Sequence, residues 1–156
     1  MKNLLKFVAA IFLPQLFGLI GSAFTRPAII LWYGDIAKSP LNPPNWVFAP
    51  VWTFLYLLMG VAAFLVWRKG WNKKEVRLAM GLFFIQLTLN LLWSVLFFGL
   101  QNPGMAFLEI IFLWLAILLT IILFYGVNKT ASWLLIPYIL WVSFAAYLNL
   151  SVWLLN

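Results

Sequence analysis

Five apolar stretches alternate with short polar breaks along the 156-residue chain, near 4–25, 47–67, 77–99, 105–125 and 131–153. About 20 helical residues, at ~1.5 Å each, cross a hydrocarbon core of ~30 Å. Backbone groups in lipid must be bonded within their own segment, so the stretches read as helices. The strict two-residue alternation of a membrane β-barrel is missing. The pattern predicts an all-α integral membrane protein: one domain over 1–156, built as a five-helix transmembrane bundle with a long first loop at 26–46.

The breaks carry helix-starting chemistry. In "QNPG" (101–104), Asn102 is placed to cap the fourth helix, with Pro103 at its first position. In "NKTAS" (128–132), Thr130 or Ser132 is the expected cap of the fifth. Pro137 then falls in that helix's second turn, where it should bend the helix or free a carbonyl.

Composition sharpens this picture. The chain is 66% hydrophobic and 8% charged, against about 25% charged in soluble domains. It has no His and no Cys, so zinc, haem-histidine, iron–sulfur and thiolate sites lack ligands and no Ser-His-Asp triad can form. We therefore expect no metal site and no required cofactor. The carboxylates are Asp35, Glu75 and Glu109 alone, which argues against a two-carboxylate active site.

The net charge of +7 sits mainly in the breaks, as in membrane topology rather than a nucleic-acid groove. Lys2, Lys6, Arg68, Lys69, Lys73, Lys74, Arg77 and Lys129 fall on one side, and Arg26 and Lys38 on the other. This bias predicts a cytoplasmic N-terminus, with the C-terminus and the 26–46 loop extracytoplasmic. Lys2 and Lys6 followed by an apolar run and "GSA" (21–23) also have the form of a signal peptide. Pro14 and Gln15 interrupt that run, and a retained first helix is expected. The short start without an Arg/Ser-rich transit peptide favours a bacterial plasma membrane.

Polar side chains inside spans usually face the bundle interior. Gln86, Asn90, Trp93 and Phe97 share one face of the third helix. They read either as a cavity lining or as amides gluing helices together. Similar stripes are Trp52, Tyr56, Met59 and Ala63 on the second helix, and Tyr138, Trp141, Ala145 and Leu148 or Asn149 on the fifth. Trp32, Trp46, Trp71, Trp114, Trp133 and Trp153 read as interfacial belt residues. Gly18, Gly21 and Ser22 allow a close helix approach, within the chain or across a dimer seam. Glu109 reads as a partner of the positive helix end, or as a site carboxylate.

The segments "WYGDIAKSPLNPPNWVFAPVWTFLYLLMG", "QLTLNLLWSVLFFG" and "LLIPYILWVSFAAYLNLSVW" together resemble the signature of the translocator protein (TspO/MBR, peripheral-type benzodiazepine receptor) family. The match runs in register from about Gly18 to Trp153. The resemblance implies a homodimeric five-helix bundle with a cavity beneath the first loop. It implies binding of tetrapyrroles such as protoporphyrin IX, and of benzodiazepine-like or cholesterol-like molecules. Carried over by motif, Trp32 and Tyr33 sit in the lid loop, and Trp52 and Trp141 flank the ligand. Tyr56, Asn90, Trp93, Ala145 and Leu148 line the cavity.

Three features depart from the pattern. Ser39 splits the Lys-Pro pair, and Leu41 stands where an aromatic is common. After Tyr147 no basic residue follows, so the sterol motif is incomplete. Pro40, Pro43 and Pro44 make the loop a stiff lid, and Pro50 fits the first turn of the second helix, with Arg26 or Lys38 available to ligand carboxylates. Three functions are then open. The first is a porphyrin-binding protein or sensor. The second is a light-dependent porphyrin-degrading enzyme using Trp52 and Trp141, and the third a porphyrin or sterol transporter.

Overall fold

The computed structural model describes residues 2–156, with side chains from Asn3 onward; the side chain of Lys2, counted above among the basic residues, lies outside the described part. The helices are α1 (Lys2–Ala28), α2 (Asn45–Trp67), α3 (Lys74–Ser94), α4 (Pro103–Val127), α5 (Lys129–Trp133) and α6 (Ile136–Leu155). Two π-helical turns, Ile29–Tyr33 and Val95–Gly99, prolong α1 and α3. Five segments are long and apolar enough to cross a membrane, α5 and α6 together forming the last. Leu4, Phe12, Ile30, Phe54, Phe112 and Leu140 are among many large apolar side chains left exposed, the surface that lipid covers.

The helices form a closed ring. α1 packs on α2 and α3, α3 on α4, α4 on α6, and α5 closes the circuit against α2. Its centre is filled by Met59, Val66, Val76, Phe83, Leu87, Ile117 and Phe124, none measurably exposed. The backbones of α1 and α2 approach closely at Gly60. A Cβ at Gly60 would stand 2.7 Å from Ile11 Cα and 2.8 Å from Ala10 O, so this seam requires glycine.

Several expectations about helix ends are revised. α1 does not stop near residue 25 but runs through Pro27 and widens into the π turn, placing Trp32 and Tyr33 on a helix end rather than in a loop. Pro27 forfeits one i→i−4 bond, and the chain changes to the wider turn just beyond it. The connecting loop is accordingly 34–44. Pro44 keeps extended geometry (φ −56°, ψ 144°) and leads into α2 at Asn45. Pro50 therefore lies in the second turn of α2 rather than the first.

Asn102 caps α4 as expected, accepting from Met105 N at 3.0 Å. The cap of α5 is Asn128, which accepts from Ala131 N at 3.0 Å, not Thr130 or Ser132. Ser132 instead donates to Ile121 O. The chain turns at Leu134–Leu135, and Pro137 falls in the first turn of α6, where its missing N–H costs nothing.

Gly18 packs under the Tyr56 ring, and Gly21 faces Ser94 and Leu91. The small residues of α1 thus serve packing within the chain. Trp114 is not a belt residue: it lies mid-α4 and donates to Ser143 Oγ at 2.8 Å, joining α4 to α6. Glu109 lies well inside α4, beyond the orphan N–H groups of the first turn. Neither of its buried oxygens has a hydrogen-bond partner among the described residues, so the helix-end role fails.

Candidate functional site

The tryptophan stripes of α2, α3 and α6 converge on one cavity of about 320 Å³. Trp52 and Tyr56 come from α2, Asn90 and Trp93 from α3, and Trp141, Ala145 and Leu148 from α6. Tyr33 reaches the same space from the end of the π turn. Trp32 does not: it lies behind the lining, edge-on to Phe97 with ring centroids 5.6 Å apart.

The wall is held by a directional chain of hydrogen bonds. Tyr56 Oη donates to Asn90 Oδ1 at 2.6 Å. Asn90 Nδ2 donates to Tyr138 Oη at 3.2 Å, which donates to Gln86 Oε1 at 2.8 Å. Gln86 Nε2 then points at Met59 Sδ, 3.8 Å away. Three helices are tied together by groups that would otherwise be buried unpaired, a cost of about 1–3 kcal/mol each. Both readings of the α3 stripe are realised. Gln86 joins helices and stays outside the cavity, whereas Asn90 joins them and also lines it.

Trp93 Nε1 donates to Asn149 Oδ1 at 2.9 Å, and Asn149 Nδ2 donates to Pro103 O at 2.7 Å. Phe97 stacks on Trp93 with centroids 5.1 Å apart and planes at 21°. Trp52 leans on Tyr56 (5.5 Å) and meets Tyr138 edge-on (6.3 Å). Trp141 is braced by Phe48 at 6.0 Å. Its indole nitrogen is buried and has no hydrogen-bond partner among the described residues; Phe48 and Phe144 meet its ring edge-on.

The exposed members of the lining are Leu19 and Arg26 of α1 with Asn45, Ala49 and Thr53 of α2. The mouth therefore opens sideways between these helices, at the end of the bundle carrying the 34–44 loop. Arg26 is the one charged residue of the lining. Lys38 is not available there. Its ammonium donates to the carbonyls of Tyr33, Gly34 and Ile36 and lies 4.8 Å over the Tyr33 ring.

No residue of the 34–44 loop lines the cavity; the loop is pinned beside it. Ser39 Oγ meets Tyr147 Oη at 2.9 Å, and the Asn156 side chain brackets the Ala37 peptide at 3.0 and 3.1 Å. Asn42 Oδ1 accepts from Tyr33 Oη at 2.8 Å. The loop thus acts on the cavity through Tyr33, which it fixes in place.

One wall was not anticipated. Gly18, Ser22, Thr25 and Ile29 of α1 line the cavity opposite the tryptophans. Their three- and four-residue spacing puts them on one helical face; in the sequence Gly18 and Ser22 stand out only as helix-packing residues, and Thr25 and Ile29 do not stand out at all.

The fold and cavity define a polytopic helical membrane protein with a lateral, aromatic-lined cavity. The TspO/MBR family model matches residues 10–154. The chain is 46% identical over 155 residues to "Tryptophan-rich protein TspO" of Archaeoglobus fulgidus, covering 99% of both chains. It is 45% identical over 155 residues to the protein of the same name in Chlorobaculum tepidum, covering 99% of this chain and 98% of that one. It is 37% identical over 142 residues to the human "Translocator protein", covering 90% and 83% respectively. The chain belongs to the TspO/MBR family.

Proposed function

We propose that the cavity binds a planar tetrapyrrole, protoporphyrin IX, and that the protein serves as its membrane receptor or sensor. The observation that carries this reading is the convergence of Trp52, Trp93 and Trp141 on one apolar space with a lateral mouth and a single cation, Arg26, in its lining. Aromatic faces favour a flat conjugated ligand by about 0.5–1.5 kcal/mol per stacked pair beyond burial. Arg26 suits a propionate at the mouth. The same space suits benzodiazepine-like molecules, whose aromatic rings match its apolar, aromatic walls. The lining has no carboxylate, imidazole or thiol, so binding is favoured over acid–base catalysis.

The test is a titration in the dark, following the porphyrin absorption band so that the signal does not depend on the tryptophans removed. The native chain should saturate at one porphyrin per cavity. The Trp52→Phe/Trp141→Phe double variant should bind about tenfold or more weakly, since each ring loses stacking area. Equal affinity in the two proteins would reject the cavity as the porphyrin site.

A second reading rests on Trp52 and Trp141 lining the same space: light-driven oxidation of the bound porphyrin by dioxygen, with these indoles as redox partners. Products formed under light by the native chain but not by either single tryptophan variant would support it. Equal bleaching by an unrelated porphyrin-binding protein would remove it.

A further inference from the structure

A second, smaller slot of about 170 Å³ lies at the opposite, N-terminal end of the bundle, among α1, α2 and α3. Its wall is wholly apolar by residue type, with Ala9, Leu13, Ala63, Trp67, Met80 and Phe84 among its members. It is open on the lipid side, where Trp71 and Phe84 are 47% and 39% exposed. The ligand cavity shares none of its lining residues.

Cations stand at the mouth of this slot. Lys6 is one turn before Ala9 and Ala10 on the same face of α1, and its ammonium lies 5.7 Å over the Trp67 ring. Arg77 precedes Met80 by three residues and Phe84 by seven, on one face of α3. Its guanidinium donates to Trp71 O at 3.3 Å and Asn72 O at 2.9 Å, beside the Trp71 wall. Arg68, Lys69, Lys73 and Lys74 lie in or next to the same connection, where Glu75 is the only acid.

We propose that this slot holds one acyl chain of an anionic phospholipid whose head group rests on Lys6 and Arg77. The charge pattern selects this occupant. A basic pocket between transmembrane helices suits an anionic head group, and an apolar slot open to the bilayer suits an acyl chain. A second copy of this chain would bring the same basic end, with Glu75 as its one nearby acid, and so supplies no anionic group to match these cations. The lipid would wedge α1, α2 and α3 at the end of the seam that forms the ligand mouth at its other end.

Native mass spectrometry of the full chain, titrated with phosphatidylglycerol or phosphatidylcholine of identical acyl chains, tests the assignment. One phosphatidylglycerol per chain should be retained about tenfold more tightly than phosphatidylcholine, as expected for two cations near a head group. Ala9 is exposed on α1, so Ala9→Phe should fill the slot without touching the core and abolish retention of both lipids. Lys6→Gln should bring the two lipids closer together while leaving the slot open. Equal retention of both lipids by the native chain, or undiminished phosphatidylglycerol retention by Ala9→Phe, would overturn the proposal.

Discussion

Gly60→Leu is expected to lower the stability of the bundle by about 3 kcal/mol or more, as overpacking against an unyielding neighbour does. The glycine is buried, and the first atom added would stand 2.7 Å from the Cα of Ile11 and 2.8 Å from the Ala10 carbonyl oxygen. These are backbone atoms, which cannot rotate aside, so α1 and α2 must separate. Separation would also strain the Gln15 Nε2 to Thr53 O bond (3.1 Å) and the edge contact of Phe7 with Phe64 (5.2 Å) along the same seam. In a thermal-unfolding assay the midpoint should fall by about 10 °C, taking roughly 2–4 °C per kcal/mol for a chain of this size. Gly81→Ala is the matched control, because nothing lies within 4 Å of a Cβ there. That change should be neutral or slightly stabilising through helix propensity. Equal midpoints for the two variants would show that the close α1–α2 approach is not needed.

The second large effect concerns affinity rather than stability. Ala145 lines the cavity of about 320 Å³ and is only partly buried. Ala145→Phe would therefore place a ring in ligand space rather than in packed core. Protoporphyrin affinity should drop about 100-fold, the result expected when a bulky group clashes with one ligand. The unfolding midpoint should stay within about 2 °C of the native value, since no core contact is overpacked. Unchanged affinity would mean that the porphyrin does not occupy the space between α2 and α6.

The spans were legible because lipid leaves the backbone few options: long apolar runs must be helices, and their number and order follow. The Asn102 cap was legible because an Asn-Pro pair at a helix start has few other uses. The inward stripes of α2, α3 and α6 were legible because polar and aromatic residues at helical spacing, surrounded by aliphatic ones, point to a common face. Where the reading failed, tertiary contacts outweighed local signals. Pro27 would ordinarily end a helix, yet the chain continues to Tyr33, which the Asn42 side chain and the Trp93–Phe97–Phe98 cluster hold in place. Asn128, rather than Thr130 or Ser132, caps the short α5 because the chain turns immediately after Val127.

Side-chain destinations were the least legible part. Nothing in the order of residues shows that the Lys38 ammonium folds back onto the carbonyls of Tyr33, Gly34 and Ile36, leaving Arg26 at the cavity mouth. Trp32 and Tyr33 are adjacent in sequence, yet Tyr33 lines the cavity and Trp32 is screened from it by Phe97. Nor could spacing assign Trp114 to Ser143. Such pairings depend on which helices are neighbours in the ring, and periodicity within one helix does not contain that information.

The most direct test of the account is an experimental structure of the full chain loaded with protoporphyrin IX in the dark. The account predicts macrocycle density between Trp52 and Trp141, with Asn90 and Trp93 at the inner wall and a propionate at the mouth near Arg26. Density elsewhere on the bundle, with this cavity filled by ordered lipid or solvent, would contradict it.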